Sequence, residues 1–443
     1  MVDKWDEAPF SNICEESAFG PRFSGELYSS DGNVAILRTT DISMDGRIEY
    51  STMPLARLDL SKIKQHILRE NDLVITRSGR VGTAAVFEGF RLPVLPGAFL
   101  IRFRLRCDVA DPYFYRYYFN SIAGQKVLLS VATGSVQQNL NITSLHGLYI
   151  PVPSLNEQRA ITRILGTLDD KIELNRRMNE TLEAIARAIF KSWFVDFDPV
   201  RAKAEGREPA GMDAKTAALF PDSFEEREQG MVPTGWATSR IGDELKTILG
   251  GTPSRSNQNY WINGTIPWVN SGKINEFRII EPSEYITDEA LTNSATKLLP
   301  ARTSVLAITG ATLGKVSLLE ISACANQSVI GIQKSDIIPS EYIYFWIKHK
   351  ICDLTSWQTG GAQQHINKTN VNDLVILIPE TKVLRKYLNI VKPIFDKIKE
   401  NHFQSKSLTA IRDLILPKLL SGEIPVNDLV NPREDFKLED SIS

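Results

Sequence analysis

The sequence predicts an α+β fold, in which two mixed, β-rich domains are separated by two long, antiparallel, coiled-coil-like helices as an internal pseudo-two-fold repeat. The first observation is a polar stretch that occurs twice, because TGSVQQNLN at 133–141 returns as TGGAQQHIN at 359–367. The second is the composition before each stretch, where short β-type runs alternate with Gly, Pro and Asx turns. The third is a change to apolar residues at intervals of three and four after residue 154.

The repeat extends over most of the chain. The polar stretch returns at an offset of 226 (359 − 133), and LYIPVP at 148–153 meets LVILIP at 374–379 at the same offset. Upstream, Tyr113 pairs with Tyr342 at an offset of 229 and Gly82 pairs with Gly314 at 232, which two small insertions explain. One unit of about half the chain therefore occurs twice.

Bulk composition narrows the classes of function. With 443 residues and 42% hydrophobic side chains, the chain has room for two or three domains. The formal net charge of −2 carries no global basic signature, so any nucleic-acid contact must come from local clusters of Lys and Arg. The four cysteines are far apart and have no metal-ligand spacing, which predicts a reduced, cytoplasmic protein without structural zinc. No run reaches the roughly eighteen apolar residues of a membrane span, so we expect no membrane association.

The first half divides into a domain and a helix. Residues 1–154 are predicted to form the first β-rich domain, with strand-like runs such as DLVITRSG and a candidate helix at YFYRYYF. Residues 155–195 are predicted to form one amphipathic helix about 60 Å long, at whose start Ser154 and Glu157 have capping-box spacing. Its predicted apolar seam comprises Leu165, Leu168, Ile172, Leu182, Ile185 and Ile189.

The second half repeats this order after a connecting segment. Residues 196–232 are rich in charge, Ala, Gly and Pro, and are predicted to be a linker on the surface. Residues 233–379 are predicted to form the second β-rich domain, and 380–422 the second long helix. Its predicted seam comprises Val391, Ile394, Ile398, Leu408, Ile411 and Ile415.

Two features qualify the second helix. Pro393 and Pro417 lie within it, and each is expected to kink or break it, because an interior proline costs about 3 kcal/mol. The acidic tail at 423–443 is expected to be partly disordered. Because the apolar stripe of a long helix needs a cover, we expect the two helices to pack on each other, antiparallel about an approximate two-fold axis.

The sequence contains no recognisable catalytic constellation. TGATLGKVS at 309–317 resembles a phosphate-binding loop, but that motif requires a glycine at Thr309 and a hydroxyl residue at Val316. The first copy has RSGRVGT in the same place without the lysine, so a turn between strands is the better interpretation. The five histidines have no metalloprotease spacing, and no Asp-Pro-Pro-Tyr methyltransferase tetrapeptide is present.

Repeated polar loops supply the candidate DNA-binding residues. An arginine on the glycine-punctuated turn ITRSGRVGT can fork onto guanine or phosphate, and the amides of the repeated polar stretch can pair with adenine edges. In GGTPSRSNQNYW, Trp261 is a candidate aromatic anchor beside an arginine. An ordinary solvated turn and solvated amide loops remain the alternatives. The candidates are Arg38, Thr39, Arg77, Ser78, Arg80, Thr83, Gln137, Gln138 and Asn139 in the first domain, and Arg255, Asn270, Lys273, Thr312, Lys315, Gln363, Gln364 and His365 in the second.

Five segments, in their order, carry a family resemblance over nearly the whole chain to about Ile424. They are ITRSGRVG, LYIPVPSLNEQRAITRILGTLDDKIELN, FKSWFVDFDPVRAKAEGREPAGM, GGTPSRSNQNYWINGTIPWV and LILPKLLSGEI. Together they resemble the specificity subunit of bacterial type I restriction-modification systems, which serve in phage defence. The resemblance implies two target recognition domains, each reading one half of a bipartite site in double-stranded DNA, with the unread spacer set by the long helices.

The resemblance also implies partners, but no catalysis and no bound cofactor or metal for this chain. Two modification subunits would dock on it and methylate adenine N6 with S-adenosylmethionine, and restriction subunits would use ATP and Mg²⁺. Thr309 stands where the first copy has Arg77, so we expect different side chains to read the two half-sites. Two rival hypotheses are a nucleotide-hydrolysing enzyme that uses residues 310–315 and a coiled-coil assembly scaffold without sequence preference.

Overall fold

A computed structural model describes residues 5–133, 138–227, 230–356 and 365–426. The chain forms two compact units that do not follow chain order. The first unit comprises the chain up to Lys171 and again from Ser407, and the second comprises Ile172–Lys406. Each of the two long helices therefore contributes residues to both units.

The first unit has nine strands and five helices among its described residues, the last helix continuing into the second unit. The strands are β1 (Glu7–Pro9), β2 (Cys14–Phe19), β3 (Val34–Leu37), β4 (Leu55–Ala56), β5 (Leu73–Thr76), β6 (Ala84–Val86), β7 (Val94–Pro96), β8 (Leu100–Leu105) and β9 (Tyr149–Pro151). The helices are α1 (Leu60–Ile63), α2 (Pro112–Asn120), α3 (Ile122–Ser130), α4 (Ile142–His146) and α5 (Leu155–Phe194).

The second unit continues the numbering, and its last helix returns to the first unit. The strands are β10 (Phe224–Arg227), β11 (Gly230–Pro233), β12 (Ala237–Arg240), β13 (Thr247–Leu249), β14 (Ile266–Val269), β15 (Glu284–Ile286), β16 (Leu298–Leu299), β17 (Ser304–Ala307), β18 (Val316–Leu318), β19 (Ala323–Ala325), β20 (Val329–Ile332) and β21 (Val375–Ile378). The helices are α6 (Asp198–Ala204), α7 (Ala214–Ala217), α8 (Ile241–Glu244), α9 (Asp288–Asn293), α10 (Ser340–Ser356), α11 (Lys368–Asp373) and α12 (Thr381–Leu420).

The strand order of one unit recurs in the other. The first unit has a sheet of order β2-β8-β5-β6, and the second has the matching order β13-β20-β17-β18. The parallel pair β3–β7 with antiparallel β4 matches the parallel pair β14–β19 with antiparallel β15. Helices α5 and α12 begin at an offset of 226 (381 − 155) and end at the same offset (420 − 194). The internal repeat is therefore confirmed at the level of fold.

Each unit has an aromatic core that attaches its sheets to a long helix. In the first unit, Phe10 packs on Phe103 and Phe119, with ring centroids 5.0 and 5.2 Å apart, and Leu165 of α5 belongs to the same cluster. In the second unit, Phe194 of α5 packs on Tyr342 and Tyr387, both at 5.0 Å. Such pairs add about 0.5–1.5 kcal/mol beyond the burial of apolar area, so they hold each β-rich domain on its helix.

The segment predicted to be a surface linker is partly core. Residues 196–232 contain helices α6 and α7, and the side chains of Val200 and Phe220 are 0% and 2% exposed in the core of the second unit. The prediction of a surface linker is therefore wrong for these residues. Their apolar side chains are widely spaced among charged ones, so they form no pattern with a helical or strand period.

The prolines do not break the second long helix. Helix α12 is continuous over Thr381–Leu420 and includes both Pro393 and Pro417. The expectation of a break is wrong, because Val391 and Phe395 on either side of Pro393 are fully buried. Their packing offsets the lost backbone hydrogen bond. Of the predicted acidic tail, Ile424 and Val426 pack against the core of the first unit; residues 427–443 lie outside the described chain.

The two long helices run antiparallel within each unit. In the second unit Asn175 of α5 contacts Gln404 of α12, and Asn179 contacts Asn401. The residue numbers of the contacts therefore increase along α5 while they decrease along α12. In the first unit, Asp169 pairs with Arg412.

The predicted apolar seam is correct only in part. Leu165, Val391 and Ile398 are fully buried, whereas Ile185 and Ile411 are 45% and 48% exposed, so their placement in the seam is wrong. The half-buried members are Leu168, Ile172, Leu182, Ile189, Ile394, Leu408 and Ile415. Polar residues take the central buried positions instead, among them Asp169, Asn175, Asn179, Glu183 and Asn401.

Candidate nucleic-acid interface

Three loops of the first unit converge at one edge of its sheets. The β5–β6 turn, residues 77–83, reaches the loop after β3 through the Arg80 guanidinium, which donates to the carbonyls of Thr39, at 3.2 Å, and of Ile42. The third loop is the repeated polar stretch at 133–141, here called the amide loop. It joins the other two because the backbone N–H of Leu140 donates to the carbonyl of Arg77 at 3.0 Å. The structure thus brings together candidates that are distant in the chain.

Arginine side chains in this cluster mainly organise the loops. Arg38 holds the buried Asp41 through two hydrogen bonds, from Nε at 2.9 Å and from Nη2 at 2.7 Å. The Arg77 guanidinium lies 4.4 Å from the centroid of the Phe19 ring. Arg80 is bound to carbonyl oxygens, as described above. The guanidinium groups of Arg38 and Arg80 are therefore hydrogen-bonded within the protein, whereas Arg77 is held by the Phe19 ring.

The remaining candidates of the first unit differ in exposure. Ser78 and Thr83 are 7% and 6% exposed, so these residues are buried within the turn and are not accessible to a ligand. Asn139 pairs with Thr133 through two backbone hydrogen bonds of 2.8 and 2.9 Å, which closes the base of the amide loop. Gln138 is exposed at the end of that loop, and Gln137 lies outside the described residues.

The second unit assembles the equivalent loops. Ile366 donates its N–H to the carbonyl of Ile308 at 2.9 Å, and Thr309 and His365 form an isolated β-bridge. The 3-10 turn Gly310–Thr312 packs against the 3-10 helix Ser271–Asn275. Gln363 and Gln364 lie outside the part of the chain that the structure describes.

The phosphate-loop resemblance is a turn between strands, as predicted. Strands β17 and β18 pair antiparallel on either side of residues 308–315. Gly82 and Gly314, which the repeat aligns, have φ angles of 90° and 79°, a region that favours glycine, so one turn geometry occurs twice. Lys315 is exposed on this turn and has no ion-pair partner among the described residues, and Thr312 beside it is half-buried.

Lys273 is part of an internal ion cluster. Its Nζ lies 2.7 Å from Glu276 and 3.3 Å from Glu281, and its side chain is only 17% exposed. Burial alone would lower the pKa of Lys273, but its contacts with the two carboxylates raise it above the ordinary value. Asn270 caps the same 3-10 helix, accepting a hydrogen bond from the Lys273 N–H at 3.2 Å. Both residues shape the loop.

Arg255 is also bound within its own domain. Its two Nη atoms lie 2.6 and 2.7 Å from the carboxylate oxygens of Glu284. That hydrogen bonding raises the pKa of Arg255 and lowers the pKa of Glu284. The guanidinium lies 3.6 Å from the centroid of the Trp261 ring, whose Nε1 donates to the carbonyl of Ser254 at 3.1 Å. Trp261 therefore anchors Arg255, which presents a half-exposed, rigid guanidinium.

Sequence inspection overlooked two exposed apolar side chains at this edge. Phe99 is 59% exposed, and its carbonyl accepts the N–H of Arg77 at 2.8 Å. Met44 is 76% exposed in the loop that Arg80 holds. A large apolar residue after the Pro-Gly turn in LPGAFL was the available signal. Apolar side chains at such an edge can contact thymine methyl groups or base steps.

Neither a metal-binding cluster nor a membrane-spanning helix is found among the described residues. No group of three or more His, Cys, Asp or Glu side chains within them is arranged to hold a metal ion. Nor does any helix in the described ranges have the length and apolar character to span a membrane. The accessible groups at the loop edges include an amide, a lysine, a histidine, the half-exposed guanidinium of Arg255 and apolar side chains, which suit recognition by hydrogen bonding and contact.

Comparison with known proteins gives one consistent result. A family model described as "Type I restriction modification DNA specificity domain" matches residues 3–184 and 233–409. The chain is 31% identical over 343 residues to the type I restriction enzyme HindI specificity subunit of Haemophilus influenzae, covering 68% of this chain and 74% of that one. It is 28% identical to the MjaIX specificity subunit of Methanocaldococcus jannaschii, covering 72% and 71%.

A solved structure shares the fold. The S subunit of a type I restriction-modification system from M. genitalium superimposes with a TM-score of 0.59 over 94% of this chain and 96% of that chain. The sequence identity is 17%, so the likeness is one of architecture.

Proposed function

Since this chain belongs to the type I restriction-modification DNA specificity family, we propose that its two β-rich domains read the two halves of a bipartite DNA site and that it catalyses no reaction itself. The observation that carries the proposal is the duplicated convergence of polar loops at an edge of each domain. In both units the β-hairpin turn meets the amide loop through the backbone, by the bond from Leu140 to Arg77 and by the bond from Ile366 to Ile308.

The two half-sites differ in sequence, because equivalent positions carry different chemistry. Arg77 and Arg80 of the first turn align with Thr309 and Thr312 of the second, at an offset of 232. Thr83 is buried, whereas its counterpart Lys315 is exposed. One backbone frame therefore presents two sets of side chains, and base discrimination by direct contact depends on the side chains.

Internal ion pairs make the loops rigid and keep this chain a weak binder on its own. Arg38, Arg255 and Lys273 are held by carboxylates of the same domain, and the whole chain has a formal net charge of −2. These three cations are therefore less available to neutralise phosphates, although phosphate contacts supply much of the affinity for DNA. Partner subunits would supply the rest.

Two equivalent apolar positions on the long helices support docking of two copies of one partner. Ile185 of α5 and Ile411 of α12 are related by the repeat offset of 226 (411 − 185) and are 45% and 48% exposed. Leu414, one turn beyond Ile411, is 65% exposed. We assign these positions to two modification subunits, which would bring S-adenosylmethionine; restriction subunits would bring ATP and Mg²⁺ chemistry. The long helices would set the length of the unread spacer.

The test is to co-express the chain with the modification subunit from its own operon in a host without adenine methylation, and to map N6-methyladenine across the genome. We expect two unlike half-sites at a constant spacing, and a purified complex with two modification subunits per chain. A well-formed complex that leaves DNA unmethylated, or methylates one continuous site, contradicts the proposal and favours an assembly scaffold without sequence preference.

Lys315 provides a prediction about the affinity for DNA and its dependence on salt. In the complete complex, K315A should weaken binding to all sequences alike and reduce the slope of log K against log salt by about 1, because an exposed lysine on this turn suits a phosphate contact. The matched control is K273A, whose lysine already lies between two carboxylates and should leave the slope unchanged. Equal slopes for K315A and the wild-type complex would remove Lys315 from the interface.

A further inference from the structure

The helix pair of the second unit has a polar cluster inside it. Asn175 and Asn179 of α5 are 0% and 4% exposed, and Asn401 of α12 is 1% exposed. Ile398 of α12, fully buried, lies one turn before Asn401. Uncharged amides are therefore enclosed between the two helices.

Two hydrogen bonds of this cluster join pairs of positions that are equivalent in the repeat. Asn401 Nδ2 donates to Asn179 Oδ1 at 2.9 Å, and Asn175 Nδ2 donates to Ser405 Oγ at 3.2 Å. The two donors are related by the repeat offset of 226 (401 − 175), and so are the two acceptors (405 − 179). The repeat equivalence of α5 and α12 is thus reproduced in the hydrogen bonds of the cluster. Asn175 also reaches Gln404 Oε1 at 2.9 Å.

Stability does not account for this arrangement. The Asn175 Oδ1 atom is buried and has no hydrogen-bond partner among the described residues. A fully apolar contact of the same volume would avoid that unmet acceptor. Buried asparagines between helices have one well-attested use, which is to specify the register of the helices.

The spacing of the apolar residues does not by itself set the register. The flanking apolar residues recur at threes and fours, so a shift of one helical turn places apolar side chains on apolar side chains again. The same shift separates Asn401 from Asn179 and Asn175 from Ser405, leaving buried amides against apolar side chains. The amides therefore distinguish registers that the apolar contacts leave nearly equivalent.

We propose that Asn175, Asn179, Asn401 and Ser405 lock the register of α5 on α12 and thereby fix the spacer of the DNA site to a single length. The inference rests on the proposed function. Each β-rich domain leads directly into one helix, from β9 into α5 and from β21 into α12. Both helices contribute to the core of each unit, so a one-turn shift between them would move each domain against one of its two helices by about 5.4 Å, which is between one and two base-pair steps of about 3.4 Å.

The test compares methylated motifs of three complexes made with the modification subunit. In the apolar variant N175L/N179L/N401L/S405A, we expect both half-sites unchanged but two or more spacer lengths that differ by one or two base pairs. The exchange variant N179S/S405N swaps the two acceptors between the helices, which preserves both equivalent bonds. It should retain the single spacer of the wild-type protein.

The outcomes separate the lock from the proposed function. If the wild-type complex shows no bipartite motif, the proposed function fails; if it does and the apolar variant keeps one unchanged spacer, only the lock fails. N401L, which removes one of the two equivalent bonds, is measured alongside in case the apolar variant does not accumulate, and should already give a minor second spacer. An unchanged single spacer in the apolar variant, or in N401L if the apolar variant forms no complex, overturns the lock, as does a mixed spacer in the exchange variant.

Discussion

The substitution Arg278→Met is expected to lower the free energy of unfolding by about 3 kcal/mol. The Arg278 side chain is fully buried, with Nη2 3.0 Å from Glu183 and Nε 3.6 Å from Glu320. Methionine fills much of the volume but removes the cation that the two carboxylates share. The cost lies at the low end for a broken buried ion pair, because Lys348 remains on Glu183 at 3.0 Å and Arg302 on Glu320 at 3.4 Å.

The loss should depend on pH in a defined direction. Burial would raise the pKa of Glu183, but Arg278 and Lys348 hold it below the ordinary value. Stability from this carboxylate is therefore present above its unfolded pKa and is lost as pH falls through its folded pKa. Burial raises the pKa of Glu320, which loses a favourable charge interaction when Arg278 is removed. The deficit of the variant should accordingly shrink as pH falls and both carboxyls become protonated.

Urea unfolding, with hydrogen exchange to locate the effect in the second unit, measures the change. The control is R240M, which breaks a surface pair of 3.2 Å with Asp373 whose side chains are 66% and 48% exposed. Such pairs contribute about 0–1 kcal/mol. Equal stability of the two variants would show that Arg278 contributes no more than a surface arginine.

The substitution Asp169→Ala is expected to cost about 2 to 4 kcal/mol in the first unit. The Asp169 side chain is 10% exposed and accepts from Tyr117 Oη at 2.7 Å and from Arg412 at 2.8 Å. Arg116 and Arg47 approach it at 3.5 and 3.6 Å. Its removal leaves three arginines close together without their shared anion, and their partial contact with water keeps the cost below that of a fully buried pair.

The neighbouring acid provides the control for this site. Asp170 is exposed on α5, so D170A changes the same residue type in the same helix without touching the cluster. We expect D170A to remain within about 0.5 kcal/mol of the wild-type protein. Calorimetry and hydrogen exchange of α2 should show the loss in D169A only; an equal effect of both variants would indicate a change in helix propensity instead of loss of the cluster.

The repeat made the architecture predictable, because two copies of one pattern constrain each other. Offsets of 226 to 232 located equivalent strands, the hairpin turn and the start of α12 in advance. The interior of the helix pair was not predictable in the same way. Asn175 and Asn179 are buried because their partners are supplied by the second long helix, more than half the chain farther on, and no helical period contains that information.

The loop side chains show the same limit. Arg255 is a residue type that commonly contacts DNA, but in the structure it is paired with the carboxylate of Glu284. That partner lies on a separate strand, β15, which pairs with β14. The prediction that Ile185 lies in the apolar seam was wrong for a related reason. Ile185 lies between the buried positions Glu183 and Ala186. Apolar spacing alone favours isoleucine over glutamate, whereas the structure buries the glutamate beside Arg278. Tertiary ion pairing decided both positions.

Two arginines, Arg47 and Arg278, bear on whether one domain of this chain can be exchanged for another. Arg47 and Arg278 occupy nearly equivalent places in the repeat, at an offset of 231 (278 − 47). Arg47 meets Asp169, and Arg278 lies 4.9 Å from the ring of Phe395. Phe395 is the repeat equivalent of Asp169, at an offset of 226 (395 − 169).

The two domains are consequently attached to their helices by non-interchangeable contacts. A chimera that inherits one domain with the other domain's helix would set Arg47 against a phenylalanine or Arg278 against an aspartate. Transplants that carry each arginine together with its own helix segment keep the docking intact. The unit of exchange is therefore larger than the β-rich domain, because it must include the helix segment that the arginine contacts.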